Sequence, residues 1–164
     1  MRALIAAALL LLPVPAQAEG FAVHDLTTVA TDLQKALGDG FVERAEPTRV
    51  TLTCPSCAGA PIIDVLIGRQ TDGTEQRIRS GETKIARMEA LCREREPACR
   101  LVALDVAPAI GWITAYPMGD HAGATAVVLR DSDLLTIRSI AGNAATARAH
   151  ADKLLAVARG IIGD

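Results

Sequence analysis

Aromatic side chains are almost missing from this chain, whose set consists of Phe21, Phe41, Trp112 and Tyr116. A protein that stacks nucleic-acid bases or sugar rings needs several aromatic side chains, so this composition argues against both classes. The formal net charge is −2, which excludes a strongly basic nucleic-acid binder. The hydrophobic core must therefore be built from alanine, leucine, isoleucine and valine.

Familiar catalytic motifs are also missing. The chain has no Walker loop, no GxGxxG, no HExxH and no GxSxG around Ser56. Its three histidines, at positions 24, 121 and 150, do not stand at a metal-ligand spacing. The sequence leaves enzymatic activity open but favours a non-enzymatic protein that needs no cofactor.

One long apolar run is present, and it lies at the N-terminus. Met1-Arg2 gives a basic start, Ala3 to Leu12 is apolar throughout, and Ala16-Gln17-Ala18 is a typical cleavage site. The run is shorter than the ~20 residues that span a bilayer, which indicates a cleaved signal peptide over residues 1–18. We predict that residues 19–164 form one exported domain, periplasmic or secreted, with no membrane span after cleavage.

The first half of this domain predicts one helix and three strands. The helix begins after Asp25, ends at Gly38 and has an apolar stripe of Leu26, Val29, Leu33 and Leu37. Residues 41–47 are predicted as a loop. Alternating apolar residues predict strands at 50–54 and 62–69, and Asp72-Gly73 predicts a hairpin turn into a short polar strand at 75–79.

The second half predicts two helices around a four-stranded meander. Residues 80–95 are predicted as a helix that Ser80 caps, with Cys92 on its buried face. Strands are predicted at 99–106, 110–117, 124–130 and 133–141, and their short turns favour antiparallel pairing. The last helix follows Asn143, ends at Gly160 and buries Ala147, Ala151, Leu154, Leu155 and Ala158. The predicted fold class is α+β, with an antiparallel sheet of about six or seven strands flanked by three helices.

This order of helices and strands resembles the α/β/α sandwich of the photosystem II extrinsic oxygen-evolving subunit and its bacterial relatives. The resemblance covers most of residues 19–164, but it consists of element order and transfers no site residue. It implies a role in binding or assembly rather than catalysis.

Two cysteine pairs are the strongest chemical signal: Cys54-Pro-Ser-Cys57, and Cys92 with Cys99. In an exported chain such pairs indicate disulfides. We predict local pairing, in which Cys54–Cys57 closes a turn and Cys92–Cys99 fixes a helix-to-strand corner. The alternative pairing joins Cys54 to Cys99 and Cys57 to Cys92.

Two other roles for Cys54 and Cys57 are open hypotheses. A thioredoxin-type enzyme needs a helix that begins at the motif, whereas the β-branched residues that follow predict a strand. Thiol–disulfide exchange with a redox partner does not need that fold, because strained or exposed disulfides are the more easily reduced. Copper or zinc carriage is the other alternative, with Met118 and His121 as further ligands.

Basic residues concentrate between Arg69 and Arg100 and are interleaved with acidic ones, which is typical of a solvated face. Arg77 and Arg79 share one side of the predicted polar strand, so they are candidates for binding an acidic partner. Trp112 and Tyr116 share strand parity and therefore one face. The sequence thus predicts an exported, non-enzymatic accessory or binding protein whose partner is an unidentified protein or small molecule.

Overall fold

A computed structural model describes residues 20–164, and the predicted signal peptide lies outside the described residues. In the described part, seven strands form a single antiparallel sheet with four α-helices, which confirms the predicted α+β class. The strands are β1 Val42–Glu46, β2 Arg49–Thr53, β3 Ile62–Arg69, β4 Arg100–Ala103, β5 Ile110–Met118, β6 His121–Arg130 and β7 Asp133–Ala141. The helices are α1 Ala30–Leu37, α2 Thr74–Arg79, α3 Ile85–Arg95 and α4 Ala144–Ile162, and a 3₁₀ turn at Leu26–Thr28 precedes α1.

The strand order across the sheet is β1-β2-β3-β7-β6-β5-β4. Neighbouring strands are consecutive along the chain except at the centre, where β3 pairs with β7. In this pair Ile62 lies opposite Ile140, and Asp64 lies opposite Arg138. The β3–β7 pairing thus joins the first and second halves of the chain into one sheet.

The inner face of the sheet, defined as the side against α1 and α4, carries the main hydrophobic core. Alternate strand residues such as Leu52, Ile63 and Ile137 are buried there. α4 buries one stripe at helical spacing, and its members are Ala147, Ala151, Leu154, Leu155, Ala158, Ile161 and Ile162. Every predicted member of this stripe is confirmed.

The opposite side of the sheet, which we call the outer face, is partly covered. α3 packs against β4 and α2 packs against β5. Away from these helices, the side chains of Val42 and Ile62 are 63% and 46% exposed. We use the term open half for the outward-facing residues of β1, β2, β3 and β7.

Several predicted boundaries are confirmed. β3 and β7 cover the predicted residues 62–69 and 133–141. The Asp25 carboxylate accepts the N–H of Thr27 and so caps the 3₁₀ turn, whereas α1 itself begins four residues later than predicted, at Ala30. Asn143 Oδ1 accepts the N–H of Thr146 at the start of α4, 2.9 Å away.

Residues 41–47 and 75–79 were predicted wrongly. The first segment contains the edge strand β1 instead of being a loop throughout, and the second is helix α2 instead of a strand. Asp72 explains the second error, because its carboxylate accepts the N–H of Thr74 and starts a helical turn in place of a hairpin.

Two helix boundaries also differ from the prediction. The helix predicted over residues 80–95 begins at Ile85, and Ser80 lies at the end of α2, so Ser80 is not its cap. α4 continues past Gly160 to Ile162 and ends at Gly163. A single glycine in a helix costs about 1 kcal/mol, which the buried Ile161 and Ile162 offset.

Candidate functional site

The Cys54–Cys57 disulfide closes the connection between β2 and β3, as the local pairing predicts. Cys54 follows directly after β2 and is fully buried, whereas Cys57 is half-buried. Backbone hydrogen bonds fold the connection into compact turns: the N–H of Cys57 donates to the Cys54 carbonyl, and the N–H of Ala60 donates to the Cys57 carbonyl. The disulfide therefore joins a fully buried residue to a half-buried one.

Two glycines allow other segments to approach this connection closely. Gly40 has a φ of +92°, and a Cβ placed on it would lie 3.2 Å from Cys54 Sγ. Gly59 has a φ of +75°, and its Cβ would lie 2.9 Å from the backbone nitrogen of Gly142. The start of β1, the disulfide loop and the start of α4 are thus packed together without intervening side chains.

The surroundings of Cys54 and Cys57 differ from those of a thioredoxin-type site. The next regular element after Cys57 is strand β3, so the Cys54–Cys57 motif does not itself begin a helix. Cys54 Sγ lies 3.9 Å from the hydroxyl oxygen of Ser56, which is a neutral group. A neutral hydroxyl does not favour a thiolate as a cation would, so this geometry suits a structural disulfide.

The Cys92–Cys99 disulfide joins α3 to the residue before β4, again as the local pairing predicts. Cys99 is buried, but Cys92 is half-buried, and α3 has no fully buried residue. The prediction that Cys92 points into the core was therefore wrong. Because α3 buries little of its surface, we expect the Cys92–Cys99 disulfide to contribute much of what holds α3 against the sheet.

Arg77 and Arg79 lie on helix α2 and not on a strand, so the prediction that they project together was wrong. Residues two apart on a helix do not face each other. Arg77 donates to the Asp72 carbonyl and to Thr74 Oγ1, at 2.9 and 3.0 Å. Arg79 forms an ion pair with the buried Glu75 carboxylate, at 2.8 Å.

Met118 and His121 form the pair that closes the β5–β6 hairpin. This hairpin is at the same end of the sheet as Cys54, but β3 and β7 lie between β2 and β6. Three strand spacings correspond to about 14 Å, so Met118 and His121 do not meet the cysteines. No cluster of three or more metal-ligating side chains occurs within residues 20–164.

An apolar row crosses the outer face beside the disulfide loop. Strand register places these residues in one line, from edge to interior: Val42, Thr53, Ile62, Ile140, Gly123 and Tyr116. The row ends near a groove of about 430 Å³ beside α3, whose lining includes Tyr116, Leu101, Met88 and Leu91. Apolar side chains thus lie on the outer face without a helix over most of them.

A charged row runs next to this apolar row. Asp64 is almost fully buried, and its Oδ1 accepts hydrogen bonds from Arg49 at 2.7 Å and from Thr51 at 2.8 Å. Arg44 pairs with Glu46 at 2.9 Å beside a cleft of about 320 Å³. The charges of both carboxylates are therefore balanced by arginines within the open half.

Arg138 differs from the other arginines of the open half. It lies opposite Asp64 on β3 and Thr125 on β6, in the middle of the sheet. Its guanidinium is exposed and makes no ion pair within 4.0 Å and no side-chain hydrogen bond in the described part of the chain. The free guanidinium of Arg138 thus lies between the apolar row and a mixed row that contains Leu66 and Thr136.

The open half was not singled out from the sequence. The parity of the predicted strands at 62–69 and 133–141 does separate Ile62 and Asp64 from Ile63, and Arg138 and Ile140 from Ile137. That signal shows which residues share a face of one strand. It does not show that β3 and β7 are neighbours, which is what brings these residues together.

No protein-family model matches this chain, and no curated protein matches it significantly. The geometry of the two disulfides and of the open half therefore carries the information about function.

Proposed function

We propose that this chain is an exported, non-enzymatic binding protein that uses the open half of its outer face to hold a partner. The observation that carries the proposal is the exposed row of Val42 and Ile62 beside the free Arg138, on a sheet surface without a helix. Val42 and Ile62 lie on either side of Thr53, and exposed apolar side chains gathered on one face with polar neighbours often mark interaction sites.

The residue types of the outer face support this proposal. Trp112 and Tyr116 share this face, as their strand parity predicts, and both are half-buried. Tryptophan, tyrosine and arginine are the residues most enriched among those that dominate protein-binding energy. Arg138 lies in the open half itself, whereas Trp112 and Tyr116 lie beyond its edge, on β5.

Export is part of the proposal. Two disulfides within residues 20–164 fit an oxidising compartment. None of the helices in that range combines the length and the apolar character needed to span a bilayer. Amino-terminal sequencing of protein from the periplasmic fraction should begin at Glu19; full-length protein confined to the cytoplasmic fraction would contradict export.

Photo-crosslinking in the cells that make the protein tests the binding surface. A benzophenone amino acid replaces Ile62 in one variant and the exposed Lys153 of α4 in a control variant. We expect a discrete adduct from position 62 that excess wild-type protein competes away, and no such adduct from position 153. Equal adducts from both positions, or none from position 62, would contradict the proposal.

Thiol–disulfide exchange is the second candidate function. It is favoured by the asymmetry of the pair: Cys57 is half-buried and Cys54 fully buried, so Cys57 is the residue that a partner thiolate would attack. In the full cycle a partner dithiol loses two electrons and two protons and becomes a disulfide, while Cys54 and Cys57 become thiols.

A redox titration separates this candidate from a structural disulfide. Thiol alkylation and mass spectrometry follow both cysteine pairs in glutathione buffers of stepped potential, with Cys92–Cys99 as the internal reference. The exchange role requires Cys54–Cys57 to be reduced at a clearly higher potential than Cys92–Cys99, above about −300 mV. Reduction of both pairs below that value would exclude it.

A further inference from the structure

The open half has a definite pattern along the strand direction. Following the β3–β7 pair, the outward-facing residues are Ile62 and Ile140, then Asp64 and Arg138, then Leu66 and Thr136. Outward-facing residues repeat every two positions, or about 6.6–6.8 Å along a strand. We call these three rows levels: the first is apolar, the second is charged, and the third is mixed, with Leu66 as its apolar member beside Thr136 and Arg49.

An α-helix matches this spacing. Four residues of a helix rise about 6.0 Å, so residues i, i+4 and i+8 follow the three levels closely. The inner face already shows this kind of packing, because α4 places Ala147, Ala151 and Leu155 at four-residue intervals against the sheet side. A helix on the open half would complete the helical layer that α2 and α3 begin.

The charged side chains of the middle level, Asp64 and Arg138, decide which residue type the bound helix should carry at i+4. One oxygen of Asp64 already accepts hydrogen bonds from Arg49 and Thr51. The guanidinium of Arg138 has no ion-pair or side-chain hydrogen-bond partner within residues 20–164. A carboxylate is the group that pairs best with an exposed guanidinium, through short charge-assisted hydrogen bonds. A lysine or arginine at the same position would face Arg138 and be repelled.

We propose that the open half binds an amphipathic helix of a partner protein, aligned with β3 and β7. The helix presents an apolar residue at i, an aspartate or glutamate at i+4 that pairs with Arg138, and an apolar residue at i+8. This inference rests on the proposed binding function and names the chemistry of its partner.

Two designed peptides of about 18 residues, long enough to be helical, test the inference. One carries Leu, Glu and Leu at i, i+4 and i+8, and the other carries Lys in place of Glu. Isotope-labelled protein comprising residues 19–164, with both disulfides formed, is titrated with each peptide and followed by NMR. We expect the acidic peptide to shift the amides of Ile62, Asp64 and Arg138 and to bind about tenfold more tightly than the lysine peptide.

Variants of the protein assign this preference to Arg138. Arg138→Gln should remove the tenfold preference, and Arg138→Lys should keep most of it. Lys153→Gln, which removes an exposed cation from α4, is the matched control and should leave the preference unchanged. The amide spectrum of each variant shows whether it folds as wild type.

Several outcomes would overturn the helix assignment. These are no binding at the open half, equal binding of both peptides, a preference that survives in Arg138→Gln, and shifts of the same amides by vesicles of anionic phospholipid alone. If the cellular adduct at position 62 forms while neither peptide binds, the binding function stands and the helix assignment fails. If the adduct is missing as well, both fail.

Discussion

Gly40 is the residue on which the packing around the Cys54–Cys57 disulfide depends most. Its φ of +92° lies in the region that favours glycine, and its missing Cβ leaves room for Cys54 Sγ. Any side chain at this position would meet both a backbone cost and a steric cost. An alanine here would have to push the Cys54 sulfur away by a few tenths of an ångström and would also adopt an unfavourable φ.

Gly40→Ala should lower the free energy of unfolding by about 1–3 kcal/mol. Chemical denaturation of the oxidised protein measures the change. Gly160→Ala is the matched control, because Gly160 lies inside α4 with nothing within 4 Å of its added Cβ. The control should be more stable than wild type by about 0.5–1 kcal/mol. Equal effects of the two substitutions would contradict this explanation.

Glu75 stabilises the turn between β6 and β7. Its carboxylate accepts the N–H groups of Asp131 and Ser132, at 3.1 and 3.0 Å, and pairs with Arg79. Asp131 and Ser132 have positive φ values of 52° and 72°, which are unfavourable for residues other than glycine. Burial of Glu75 raises its pKa, but the hydrogen bonds from Ser132, Arg79 and Asp131 outweigh burial and hold the pKa below the usual 4.5.

Glu75→Gln should destabilise the protein at pH 7 by about 2 kcal/mol, because buried donors lose a charged acceptor. A depressed carboxyl pKa contributes stability above the unfolded-state value, and this stability is lost as pH falls through the folded-state pKa. The difference in free energy of unfolding between wild type and Glu75→Gln should therefore become smaller below pH 4.5, as measured by denaturation at a series of pH values. The exposed Glu82→Gln serves as the control and should show no such difference.

At the scale of elements, α3 is held differently from the other long helix. α4 buries seven residues, whereas α3 buries none and is linked to the chain before β4 by Cys92–Cys99. The Cys54–Cys57 disulfide, in contrast, has a fully buried sulfur in the main core. The two disulfides should therefore stabilise different things: the position of one helix, and the core itself.

Removing each disulfide tests this difference. The double variant Cys92→Ala with Cys99→Ala should speed amide exchange in residues 80–98 while the slow amides of β6 and β7 change little. The double variant Cys54→Ala with Cys57→Ala should lower global stability by about 2–4 kcal/mol and speed exchange throughout. A global effect of the first variant as large as that of the second would show that α3 belongs to the core unit.

At the scale of the whole molecule, His150 adds a second pH dependence at a place remote in sequence from Glu75. Burial, and to a lesser degree the positive charge of Lys153, lower the pKa of His150 below the usual 6.5. Its ring packs edge-on against Phe41, with centroids 5.5 Å apart, and its Nδ1 is buried without a hydrogen-bond partner in the described part of the chain. The folded state therefore favours the neutral imidazole.

Stability should accordingly fall as pH drops below 6.5, before the loss due to Glu75 begins. The reason is that the unfolded chain binds a proton on His150 more readily than the folded protein does. His150→Gln should remove the loss between pH 6.5 and 5, measured by thermal unfolding across pH. His121→Gln, at an exposed hairpin position, should still lose stability over this pH range. If His121→Gln is instead as insensitive to pH as His150→Gln, the assignment to His150 is wrong.

The elements that could be predicted are those with a strong local pattern. β3, β7 and α4 have apolar residues at the period of their own structure, because each has one face against the core. β1 was missed because it is an edge strand with mainly exposed side chains, so burial imposes no alternation on it. α2 was missed because Asp72-Gly73 is compatible with a hairpin turn or with the start of a helix.

By itself, the sequence determined the α+β class and most strand and helix positions and favoured the local pairing of the cysteines, since these depend on residues close together along the chain. The tertiary structure decided that β3 lies beside β7 and that α2 and α3 cover one side of the outer face. This arrangement places Ile62 beside Ile140 and Arg138 beside Asp64 on an open surface. Strand order depends on packing between residues far apart in sequence, and no local pattern encodes it.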